Sequence, residues 1–253
     1  MATLTVYPDA GTGGTTIDGA VYRFGVDEFW GTLRAGAGNF NENSGNPIQG
    51  VFMQCSTTSN QFQQLARFIM TFDTSALTAG ATISAATLSL NGTAKADNFS
   101  CDPDINIYTS TPASNNALVD ADYGQTGTVA QCDTTITYAN YSTSGFNDFA
   151  FNATGLGNIS KTSISKFSVK SARNDAGAVS PATEGHWTSE QSAGFTFNSA
   201  DNAGTSSDPK LVITYTLPAG PANLKSYNTN LKANIKTINT NPIANVKSLD
   251  TNV

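Results

Sequence analysis

Charged residues are scarce in this chain. They make up 13% of its 253 residues, against the roughly 25% usual for soluble domains, which leaves few Glu, Lys and Arg to cover exposed helices. Histidine occurs once, at His186. A Ser-His-Asp arrangement would have to use it, and no Gly-x-Ser-x-Gly elbow is present, so a loop histidine beside Trp187 reads as structural. Cysteine occurs three times, at Cys55, Cys101 and Cys132, too few for a disulfide scaffold and without metal-ligand spacing. A Cys101–Cys132 bridge is the sharper alternative to three inert thiols, because both residues lie in turn-rich stretches next to candidate strands. No run is long enough to cross a bilayer, and the start MATLTVYPDAG has neither a basic n-region nor an apolar h-region. The expectation is a chain made without a secretion signal, with no membrane partner and no cofactor.

The charge that is present is unevenly placed. From Met1 to Gly220 there are 9 basic and 18 acidic residues, and the remainder has four Lys and Asp250. The body is therefore acidic and the tail basic. An acidic body argues against nucleic acid, whose phosphates need clustered Lys and Arg.

Gly, Ser, Thr and Asn are abundant instead, and Thr, Val, Ile, Phe and Tyr suit the pleated surface of a sheet. Strands are predicted at 3 to 7, 20 to 24, 67 to 72, 83 to 90, 105 to 109, 146 to 151, 164 to 171, 194 to 198 and 210 to 217. In ISAATLSL, Ala86, Leu88 and Leu90 fall on one face and Thr87 and Ser89 on the other, as a half-buried strand requires. Stretches such as GAGNFNENSGNP (36 to 47) read as turns. A short helix is predicted at 152 to 160 with Asn152 as N-cap. Many short strands separated by turns give an all-β sandwich or jelly roll over residues 1 to 217, followed by a hinge at 218 to 223 and a tail at 224 to 253.

Two ordered motifs sharpen the fold. RFIMTFDTSALTAGATISAATLSL (67 to 90) resembles the signature of the DNRLRE or disaggregatase-related family, and FTFNSADNAGTSSDPKLVITYT (195 to 216) resembles its closing segment. The Asp-Asn-Arg-Leu-Arg-Glu string itself is absent. The resemblance implies a jelly-roll β-sandwich of the carbohydrate-binding type. The variant, with YPDAGTGGTTIDG near its start, is similar to structural proteins of uncultured phages.

From Ala222 onward ANLKSYNTNLK, ANIKTINTNPI and ANVKSLDTNV repeat one 11-residue unit. Leu224, Tyr227, Leu231, Ile235, Ile238, Val246, Leu249 and Val253 recur at spacings of 3 and 4, apart from one gap of 8 after Ile238, the pattern of an 11-residue coiled coil. Asn, β-branched residues and Pro242 favour short extended segments instead. Such units need a partner surface, either other virion proteins or sister subunits, which predicts a homo-oligomer.

Carboxylate pairs Asp102 with Asp104 and Asp120 with Asp122 could serve glycoside hydrolysis only at a suitable separation. Turn residues are the plainer reading, with a calcium site at Asp102 and Asp104 between the two. For glycan binding the candidate aromatic platforms are Trp30 and Trp187, each of which could equally plug the sandwich core. The expectation is a non-enzymatic bacteriophage virion protein, a decoration or fibre component displayed on the virion surface and anchored by its tail. The alternative is an extracellular glycan-binding adhesin module that recognises a cell-surface glycan.

Overall fold

The computed structural model describes residues 1–218. The described part of the chain is all-β, an antiparallel β-sandwich, and twelve strands occur in it: β1 (Ala2–Val6), β2 (Asp18–Phe29), β3 (Phe40–Glu42), β4 (Ile48–Cys55), β5 (Gln61–Asp73), β6 (Thr82–Asp97), β7 (Asp104–Thr109), β8 (Ile136–Thr137), β9 (Phe146–Ala150), β10 (Ile164–Lys170), β11 (Ser192–Phe197) and β12 (Lys210–Thr216). Two short helices accompany them, α1 (Trp30–Ala35) and α2 (Ala153–Gly157). The nine strands expected from the sequence are all present. The stretch at 36 to 47, expected as turn, contains β3, and β4, β8 and α1 are additional. The Asn152 cap of α2 is as expected, its side chain accepting a hydrogen bond from Gly155 N at 2.9 Å.

Every pairing is antiparallel. β1, β12, β6 and β9 lie side by side in one sheet. In the second sheet β3 pairs β2 and β2 pairs β5. The far edge of β5 is shared between β4, along Phe62–Ala66, and β10, along Phe68–Asp73. β4 continues to β11, and β10 to β7 and β8. β6 joins the two sheets, since its later residues, Gly92–Asp97, pair with β11. The crossing falls at Gly92, where a Cβ would collide with the Ser142 carbonyl, so only glycine lets the backbones approach this closely.

β5 is buried on both faces, which is why RFIMTF does not alternate apolar with exposed polar residues; its two polar members, Arg67 and Thr71, are buried as well. Ala66, Phe68, Met70 and Phe72 join Leu88, Leu90, Phe149, Phe167, Phe197 and Ile213 in the core between the sheets. Phe62, Leu65 and Ile69 join a second core with Val21, Leu33, Met53 and Tyr123. Each side chain of this size contributes ~1.5–3 kcal/mol on full burial.

Residues 219–223 of the hinge and the tail residues Leu224, Tyr227, Ile235, Ile238, Val246 and Leu249 lie outside the described residues.

Candidate ligand-binding groove

The second core decides the fate of both tryptophans. Trp30 opens α1 and is 3% exposed, with its ring 4.8 Å from Phe62 and its indole N–H donating to the Asn174 carbonyl at 2.9 Å. Trp187 is half-buried against the same core and donates to the Gln61 carbonyl at 2.8 Å. Both N–H groups are thus satisfied inside the protein, as buried indoles require. The expectation of Trp30 as an exposed glycan platform is corrected by its burial, while Trp187 is half-buried with its indole N–H already engaged.

The remaining candidates also resolve into structure. All three cysteines are free and buried. Cys101 belongs to the second core and Cys132 to the core between the sheets, so the alternative of a Cys101–Cys132 bridge is excluded and the reading of three buried thiols stands. Burial raises the Cys55 thiol to about 11 and the Cys132 thiol to about 12, leaving them protonated and weakly nucleophilic. Asp102 is exposed in a left-handed turn at φ 48. Asp104 accepts from Ser171 Oγ at 2.8 Å and Arg173 N at 3.1 Å. The calcium expectation at this pair is not met, because Asp104 is committed to holding the turn after β10, and among the described residues no three carboxylate, thiolate or imidazole side chains gather as a metal site. Asp122 is buried and receives the Ala113 and Val119 amides, each at 2.9 Å, while Asp120 accepts from Asn41. These are turn-holding roles, not a catalytic pair.

The exposed aromatics lie elsewhere, on β2 and β3. Alternation along β2 puts Ala20, Tyr22 and Phe24 on one face. β3 lays Phe40 directly across from Tyr22, their ring centroids 5.3 Å apart, and Phe24 stands 6.2 Å from Phe40 at a 45° tilt. Tyr22 is buried at the floor, whereas Phe24 and Phe40 are 51% and 49% exposed. The Tyr22 hydroxyl donates to Glu42 Oε2 at 2.9 Å. Burial and the adjacent Glu42 carboxylate push that hydroxyl well above its ordinary pKa, so it remains a donor. Gln49 and Gln64 complete the walls of a groove of about 270 Å³. Arg23, between the two aromatics in sequence, points to the other face, where it pairs with Glu28 and donates to the Ala37 carbonyl.

Chemically the groove offers two accessible ring faces, two primary amides and one carboxylate, a set suited to apolar C–H faces bearing hydroxyl groups. A larger hollow of about 510 Å³, lined by residues such as Thr15, Asp73, Asn115 and Ser163, has no aromatic side chain. The sequence carried a signal for the groove. Tyr22 and Phe24 are large aromatics at i, i+2, and Phe40 is the one aromatic in a polar stretch.

Compared with family models and with curated proteins by sequence, the chain matches none. Among solved structures it is similar to a xylan-binding module, CBM15, at 7% identity and a TM-score of 0.35, with 84% of this chain and 97% of that one covered.

Proposed function

We propose that the sandwich is a non-catalytic binding domain that takes up a saccharide in the groove of Tyr22, Phe24 and Phe40. The observation that carries this reading is the pair of half-exposed phenylalanine rings fixed beside Glu42, Gln49 and Gln64 on a rigid sheet. Apolar rings held open by two strands are costly in water unless a ligand covers them. Glu42 is the single carboxylate among the lining residues, whereas glycoside hydrolysis of the usual kind uses two, which supports binding without cleavage.

A glycan array followed by titration calorimetry tests it. Phe24→Ala and Phe40→Ala are expected to weaken binding at least tenfold with the melting temperature unchanged. Binding that survives both substitutions would place the ligand elsewhere.

The finer part of the proposal is display on a phage particle, with the 11-residue repeats as the anchor. It is supported by the repeats themselves, by their basic charge against an acidic body and by the resemblance of the two sequence motifs. Deleting residues 221–253 should leave a folded sandwich that no longer joins particles; a truncated chain that still co-purifies with virions would remove the tail from this role.

A further inference from the structure

The groove of Tyr22, Phe24 and Phe40 carries one fixed negative charge and no cation to offset it. Glu42 Oε2 accepts the Tyr22 hydroxyl at 2.9 Å, and Oε1 packs against Gly45, where an added Cβ would stand only 2.5 Å from that oxygen. The carboxylate is therefore held from two sides at the groove wall. No lysine, arginine or histidine is among the lining residues. The nearest cation along β2, Arg23, is turned to the opposite face of the strand, where it pairs with Glu28 and donates to the Ala37 carbonyl.

The neutral polar groups of the groove both donate and accept. Gln64 stands directly across from Phe24 in the β2–β5 ladder and is 7% exposed. Among the described residues, neither its amide nor that of Gln49 makes a side-chain hydrogen bond within the protein, and both line the groove. Groups as buried as the Gln64 amide normally find a partner. A saccharide hydroxyl suits this set, because it donates to Glu42 Oε1 or an amide oxygen and accepts from an amide N–H. An ionised carboxylate, sulfate or phosphate only accepts. It would lose its hydration beside Glu42 with no positive charge to replace the water.

We propose that the groove selects uncharged saccharides and rejects acidic ones, and that Glu42 is the residue that sets this selection. The inference rests on the saccharide reading of the groove and adds the charge class of the ligand to it. The chain as a whole is also acidic up to Gly220, with 18 acidic and 9 basic residues. The field of exposed charges fades over about 8 Å at physiological salt, whereas Glu42 acts on a bound ligand at contact. The two origins of rejection therefore separate by salt and by substitution.

The test uses the full chain and matched ligands: oligomers of glucose, galactose and mannose beside oligomers of glucuronic, galacturonic and mannuronic acid, which carry a carboxylate in place of the C6 hydroxymethyl group. By calorimetry the best neutral oligomer should bind roughly tenfold or more tightly than its acidic counterpart, at physiological and at high salt. Glu42→Gln should raise the affinity for the acidic oligomer roughly tenfold, a gain that a merely structural role would not produce. Asp102→Asn, the same change of charge on an exposed turn, should leave that affinity unchanged. Should Glu42→Gln fail to fold, the wild-type preference at the two salt concentrations decides, and a preference that vanishes at high salt assigns the rejection to the overall charge and overturns the role of Glu42. Acidic oligomers that bind as tightly as neutral ones, with binding still abolished by Phe24→Ala and Phe40→Ala, overturn the charge selection and leave the saccharide groove standing. Absence of binding to every saccharide removes the groove reading and this inference together.

Discussion

β5 divides the molecule into two cores of opposite character. The core between the sheets is built from Phe68, Phe72, Leu88, Phe149, Phe167 and Phe197, held by dispersion and exclusion of water. Behind β5 the second core encloses charge. Arg67 is 5% exposed and grips Asp175 through two hydrogen bonds of 2.7 and 2.8 Å, donates to the Tyr123 and Arg34 carbonyls, and lies 4.0 Å from the centre of the Tyr123 ring. The difference teaches how the same strand can tolerate an arginine amid a hydrophobic run. One face is non-directional and filled by volume, whereas the other is directional and fixes where α1 and the turn at Ala172–Ala176 sit.

The largest effect should come from breaking the directional core. Arg67→Ala strips buried Asp175 of its two short hydrogen bonds and leaves it only the 3.4 Å contact with Arg34, and a loss of ~3 kcal/mol is expected in urea unfolding. Pairing it with Asp175→Ala should recover part of that loss, since the stranded charge is gone. In the apolar core Leu88→Ala should cost about 3 kcal/mol through the cavity it leaves, with no rescue by a second deletion.

Lys170 offers a pH test of the same contrast. It is 2% exposed, and burial lowers its pKa from an ordinary 10.5 to about 8, against the pull of Asp175. Between these values the unfolded chain holds more protons than the folded one, so this group makes stability rise as pH climbs from about 8 to 10. Lys170→Met should abolish the rise, measured as urea midpoints across that window; an unchanged slope would mean that other groups produce it. The smallest effect on stability is expected at the groove, where Phe24→Ala should shift unfolding by no more than about 0.5 kcal/mol even as binding is lost.

Much of the fold was legible because period-two alternation is local. Ala86, Leu88 and Leu90 declare their face without reference to anything distant. Strands β3 and β4 were less legible, the first because Asn and Gly dominate its neighbourhood and the second because IQGVFMQC carries no clean alternation. The site was misread for a related reason. Tryptophan is the strongest single hint of a sugar platform, yet whether an aromatic is open or covered depends on what packs over it. Trp30 is covered by Phe62 and the Asn174 segment, 144 residues away in sequence, and Phe24 is left open.

The sequence by itself therefore determined the class of structure and most strand positions, because backbone preference and alternation act within a few residues. Only the tertiary structure decided which aromatics face water, that Cys101 and Cys132 lie in separate cores, and that Asp18 and Asp208 are both buried. Those outcomes depend on the order in which strands pair, and burial, charge and hydrogen bonding act between whichever residues that order brings together.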